Sequence, residues 1–193
     1  MLLATREKIG KISCLEIQEE YAELISRNIE YNLLGDKIEC IQGDAREVAL
    51  PEADTVFTNP PYMKSTSGYS NRAGKKNIAR HEVHGTIEDF LAAAKRMLKF
   101  GGDFFAVYRP DRLADIVAAM RDAGIEPKRM TMVHADRESP PSMMLIEGRR
   151  GGKSGMRVTK PLLLYPAARR NEYTADMTYI MENGEFPKEF SVN

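Results

Sequence analysis

Little cysteine, little histidine, no net charge and no long apolar run characterise this sequence, and each shortage closes off a class of explanation. Two cysteines in 193 residues are too few for a disulfide framework. Cys14 and Cys40 each sit inside an apolar, strand-like run, where they read as small buried hydrophobes of a reducing compartment. Of three histidines, His134 has no Cys or His at ligand spacing and His84 has His81 alone, too few ligands to point to a metal site. Acidic and basic residues, 28 of each, cancel, so bulk charge favours neither nucleic acid nor membrane, and such a partner must be met by a local patch. Met1 to Lys8 hold too short an apolar run for a signal peptide, and no later segment approaches a membrane span. A cytoplasmic protein is therefore expected. The length suits one domain, residues 1–193, with a core that needs neither disulfides nor metals.

What is present is an alternation of strands and helices. Lys11 to Glu16 reads as a short strand ending in an acid, and Gln18 to Leu34 has the apolar spacing of a helix, stopped by Gly35. Strands follow at Ile38 to Gln42, ending at Gly43-Asp44, and at Thr55 to Thr58. Lys64 to His81 is polar, basic and free of acids, the composition of a long exposed loop. Helical spacing resumes from Ile87 to Leu98 and is closed by Gly101-Gly102. A buried strand spans Phe104 to Tyr108, and a helix covers Leu113 to Ala123, stopped by Gly124. Arg129 to His134 and Met143 to Glu147 read as an antiparallel pair followed by a glycine-rich basic turn, Gly148 to Gly155. Leu162 to Tyr165 reads as an edge strand and Tyr173 to Met181 as a short helix. The pattern predicts an α/β fold with a mostly parallel sheet, covered on both faces and closed by an antiparallel hairpin.

Asn59-Pro60-Pro61-Tyr62 stands at the carboxyl end of a predicted buried strand, where open α/β sheets place their ligands. An exocyclic amine on a planar ring is a poor nucleophile because its lone pair is delocalised. The Asn59 side-chain carbonyl and the Pro60 backbone carbonyl can each accept one N–H, drawing the nitrogen toward tetrahedral geometry. The prolines fix the backbone, and Tyr62 offers a stacking face that suits a base or an amide equally. Away from a strand end, the same tetrad reads as a Pro-Pro turn with an Asn cap. Glu16 and Asp44 end two strands, where a carboxylate can hold ribose hydroxyls or an adenine amine; each reads equally well as an acid answering a helix dipole. Lys64, Arg72, Lys75, Lys76, Arg80 and His81 make the long loop cationic, either a contact for RNA phosphates or a solvated loop. Gly151-Gly152-Lys153-Ser154 resembles the end of a phosphate-binding loop, but the glycine required five positions before Gly152 is Glu147.

Taken in order, CLEIQEEYAELISRNI, GDA at 43–45, TNPPY at 58–62, ARHE at 79–82, EGRRGGKSGMRV and PLLLY resemble the class I S-adenosylmethionine-dependent methyltransferases with an NPPY motif. The resemblance is closest to the tRNA1(Val) adenine-N6-methyltransferase family and covers nearly the whole chain. It implies a Rossmann-like sheet and S-adenosyl-L-methionine as cofactor, bound by Glu16, Ile17, Asp44, Ala45 and Asn59. It makes Asn59, Pro60 and Tyr62 the catalytic set and tRNA the partner, with an adenine beside the anticodon splayed out of its stack. Members of this family begin with a strand and a Gly-x-Gly turn that are absent here. The chain is therefore expected to be the truncated or misassigned form of a longer enzyme. It should bind the donor weakly and have a sheet with a gap, or a re-paired open edge, between the strands ending at Glu16 and Asn59. Two rival readings use the same residues: glutamine N5-methylation of a release factor, and a non-catalytic RNA-binding remnant. Oligomeric state is not legible, although an open sheet edge favours self-association.

Overall fold

The computed structural model describes residues 9–60, 85–166 and 172–190. Tyr62 and the whole basic series from Lys64 to His81 lie outside them. The elements run β1 (Ile12–Glu16), α1 (Glu19–Tyr31), β2 (Ile38–Gln42), β3 (Ala53–Thr58), α2 (Ile87–Met97), β4 (Leu98–Tyr108), α3 (Leu113–Asp122), β5 (Ile125–His134), β6 (Pro141–Arg150), β7 (Arg157–Val158), β8 (Leu162–Leu163) and α4 (Ala175–Asn183). The strands fall into two sheets. β1 and β2 pair in parallel, in the register Glu16↔Gln42, and a second sheet has the order β3-β4-β6-β5-β7 with β8 also on β5. Among the described residues, β1 pairs only with β2 and β3 only with β4, so the expected gap is present.

In the larger sheet β3, β4, β5 and β8 run parallel and β6 alone runs against them. The carboxyl ends of four strands and the amino end of β6 therefore share one rim. Alternation places Phe104, Ala106 and Tyr108 on one face of β4. There they pack with Leu91 of α2, Ile116 and Met120 of α3, and Met144 and Ile146 of β6. Leu145 points the other way, toward Val133, Leu162, Met177, Ile180 and Phe190. α2 starts cleanly because Thr86 and Asp89 form a reciprocal capping box. The thinner unit is α1 on β1 and β2, closed by Ile29 and Ile38.

Several boundaries differ from the sequence reading. α2 ends at Met97, and Gly101-Gly102 lies inside β4 rather than closing the helix. Gly101 has φ +82°, and a Cβ on Gly102 would stand 3.0 Å from the Asp54 carbonyl oxygen of β3, so the pair lets two backbones approach at the start of the sheet. α1 stops at Tyr31, before Gly35. Leu33 takes the left-handed conformation at φ 55°, while the Leu34 N–H reaches the Ile29 carbonyl and the Leu33 N–H that of Glu30. That is a Schellman end with leucine in glycine's place. β6 continues to Arg150, so the basic turn is only 151–155, with the Gly151 φ at +69°. Cys14 and Cys40 are free, half-buried and opposite one another across β1 and β2. Burial first, and the neighbouring Cys40 second, push the Cys14 thiol pKa up.

Candidate active site

Asn59 and Pro60 follow β3 directly, at the common rim of the larger sheet. Asn59 is exposed and Pro60 is buried, the disposition needed for an anchored backbone that presents a side chain. β3 and β4 are in register to Thr58↔Ala106. Two residues further on come Pro60 and Tyr108. Tyr108 is buried, and burial holds its phenol above the usual pKa. Next on the rim, Arg109 forms a two-pronged pair with Asp111, at 2.8 and 2.7 Å. Between this turn and the start of β6 lies a cavity of about 420 Å³, lined by Arg109, Pro110, Asp111, Pro141, Ser142 and Met143. None of these residues was singled out by sequence reasoning.

The two acids stand on the smaller sheet. One oxygen of the Glu16 carboxylate accepts the Gln18 N–H at 2.9 Å, at the start of α1, which is the helix-end role that the sequence left open. Among the described residues, no hydrogen bond engages its second oxygen. Asp44 accepts the backbone N–H of Arg46 at 2.8 Å and its guanidinium Nε at 2.9 and 3.0 Å. The guanidinium hydrogen bonds hold the Asp44 carboxyl below the usual range. Asp44 is thus engaged by a neighbour two residues away, and an incoming amine would have to share or displace Arg46. Arg96 of α2 donates to the carbonyls of Ala45 and Arg46 at 2.7 and 3.1 Å. This tie from the larger unit to the turn after β2 joins residues 51 and 50 positions apart, beyond the reach of local pattern. A ribose-sized polyol suits the Glu16 oxygen that has no partner among the described residues; for an adenine, Asp44 fits once Arg46 yields.

Comparison with known proteins places these features in a family. A protein of Dyadobacter fermentans named tRNA1(Val) (adenine(37)-N6)-methyltransferase is 27% identical over 138 residues, 70% of this chain and 57% of its own length. One of the same name from Porphyromonas gingivalis W83 is 25% identical over 175 residues, 86% of this chain and 68% of its own. The chain thus spans between about half and two thirds of these relatives. Among solved structures, an Agrobacterium tumefaciens protein described as a predicted O-methyltransferase superposes with a TM-score of 0.73 at 21% identity. The match covers 94% of this chain and 81% of that one. A methyltransferase from Pyrococcus furiosus gives 0.53 at 20% identity, covering 78% and 68%. These likenesses establish the fold as the expected Rossmann-like class I methyltransferase architecture, mostly parallel with an antiparallel strand. With the matching family model running through residues 2–138, well over half its length, the chain belongs to the RMKL-like methyltransferase domain family.

Proposed function

We propose that this chain is the methyltransferase domain of an S-adenosylmethionine-dependent enzyme that methylates an exocyclic amine, adenine N6 of a tRNA. The observation that carries the reading is the position of Asn59 and Pro60, one exposed and one buried, immediately after β3 on the rim of the sheet. The names of the Dyadobacter and Porphyromonas relatives support the choice of base and of tRNA. A tRNA substrate in turn fits a cytoplasmic protein.

Bound S-adenosylmethionine supplies an electrophilic methyl group. The chain's own residues divide the remaining tasks. Glu16, with Ile17 beside it, accepts ribose hydroxyls through its carboxylate, and Asp44 with Ala45 borders the donor's adenine. The Asn59 side-chain carbonyl and the Pro60 backbone carbonyl accept the two N–H groups of the target amine, which frees its lone pair. Tyr62 stacks on the target base. Lys64, Arg72, Lys75, Lys76, Arg80 and His81 supply contacts to the RNA backbone, which position it without reading sequence.

The test is transfer of labelled methyl from S-adenosylmethionine to total tRNA, followed by nucleoside analysis. The expected product is N6-methyladenosine, with a loss of about a hundredfold or more in Asn59→Ala, the scale for removing one preorganised hydrogen-bonding group. Label in protein glutamine instead of RNA would replace the adenine reading with the amide one. Incorporation that survives Asn59→Ala would remove Asn59 from the chemistry.

A further inference from the structure

The rim continues well past Asn59, and its far end has a distinct chemistry. β8 pairs in parallel with the last residues of β5, and the pairing extends through Leu164 N–H to the His134 carbonyl and Tyr165 N–H to the Ala135 carbonyl. Tyr165 is thereby fixed beside the β5–β6 turn. Its ring stacks on Tyr173 with centroids 5.5 Å apart and planes 15° from parallel, and Tyr173 remains 48% exposed. Thr174, the next residue, anchors the segment to β8 by donating its hydroxyl to the Leu163 carbonyl at 2.6 Å. In the adjoining turn the buried Asp136 carboxylate accepts the N–H groups of Glu138 and Ser139 at 3.1 and 2.8 Å. His134 Nδ1 lies 2.8 Å from the Ser139 carbonyl oxygen. The turn is held rigid and presents Arg137 outward, exposed. With Asp136 and Glu138 flanking Arg137, the turn is formally acidic by one charge, so the stacking face and not bulk charge is what suits a nucleic acid here.

We infer that the rim from Asn59 to Tyr173 is a track for single-stranded RNA flanking the target base, with the Tyr165–Tyr173 stack as a platform for a neighbouring base and Arg137 as a phosphate contact. This rests on the RNA reading of the site. The order β3-β4-β6-β5-β8 separates the two ends by four strand spacings, about 19 Å, a span of a few nucleotides. Between them the cavity beside Arg109 and Met143 has room for a base or ribose. A preformed aromatic stack whose Tyr173 ring is half exposed suits a base of any identity, because every base has a π-face.

The experiment is fluorescence anisotropy of a short labelled RNA with a central adenine on the full chain, with methyl transfer to the same RNA measured in parallel. Tyr173→Ala should weaken binding about tenfold or more, and Tyr173→Phe should restore it because only the ring is needed. Arg137→Ala should lower the slope of log affinity against log salt by about 0.7, one phosphate's worth on a single strand. Lys128→Ala, near the opposite rim, should change nothing. Methyl transfer that proceeds with affinity and KM untouched by Tyr173→Ala overturns the track and leaves the catalytic reading standing. Binding that depends on Tyr173 without any methyl transfer keeps the track and overturns the catalytic reading. No RNA binding by the unaltered chain overturns both.

Discussion

The two sheets divide the candidate site between a deep core and a shallow one. Asn59 and Pro60 ride on the larger sheet. Among the described residues, its main cluster buries fourteen side chains, with Leu91, Leu98, Phe104, Ile116, Met120, Ile125 and Met144 wholly inaccessible. Glu16 and Asp44 ride on the smaller, where Ile29 and Ile38 are the two buried members, helped by half-buried Ile12, Cys14, Ile25, Leu34 and Cys40. The difference is one of area removed from water, at roughly 25 cal/mol per Å² of apolar surface. It teaches that the groups assigned to the amine are rigidly mounted, while those assigned to the donor sit on a unit with little burial to oppose opening. Among the described residues, the outer edges of β1 and β3 have no strand partner, so no ladder of hydrogen bonds holds one sheet to the other. Phe57 on β3 remains 58% exposed.

The largest effect should follow from emptying the deep core. Phe104→Ala is expected to lower global stability by about 3–5 kcal/mol, read from the urea midpoint. Ile29→Ala should instead loosen only the β1-α1-β2 unit and leave the unfolding midpoint of the larger sheet in place. Equal midpoint shifts for the two variants would show one cooperative core and erase the distinction. A smaller gain is expected in the weak half from Leu33→Gly. Leu33 is 90% exposed and held at φ 55°, so glycine relieves a left-handed penalty of about 1 kcal/mol with no packing lost. Protection of α1 and β2 should rise, and an unchanged exchange rate would count against the Schellman assignment.

The smallest effect concerns charge. The Arg46 guanidinium lowers the Asp44 pKa, so the pair's contribution is present above the ordinary unfolded value, about 3.9, and is lost as pH falls through the lower folded one. Arg46→Ala should move the Asp44 titration back up toward the ordinary range, followed by carboxyl NMR. A midpoint that stays low would assign the depression to the neighbouring backbone instead.

Periodicity made the helices legible: Ile87, Leu91 and Ala94, and Ile116, Ala119 and Met120, face the core at helical spacing, as the sequence indicates. The start of β4 was not legible, because Lys99-Phe100-Gly101-Gly102 carries no alternation and is held by contact with the Asp54 carbonyl. Nor was the first half of β5, where Pro127 interrupts the pattern at a bulge against β6. At the site, the strand-end positions of Glu16, Asp44 and Asn59 were readable from local pattern. The Asp44–Arg46 pair, the Arg96 tie and the Tyr165–Tyr173 stack were not, because each depends on side-chain direction or on pairing between distant segments.

Native-state hydrogen exchange, residue by residue, tests the division of the molecule most directly. Amides of Ile12–Glu16 and Ile38–Gln42 should exchange through openings well below the global unfolding free energy, while those of β4, β5 and β6 exchange only with global unfolding. Added S-adenosylmethionine should slow the first group alone. Uniform protection across both sheets, or slowing confined to β4–β6, would contradict the account of a weak donor-bearing half beside a rigid acceptor-bearing one.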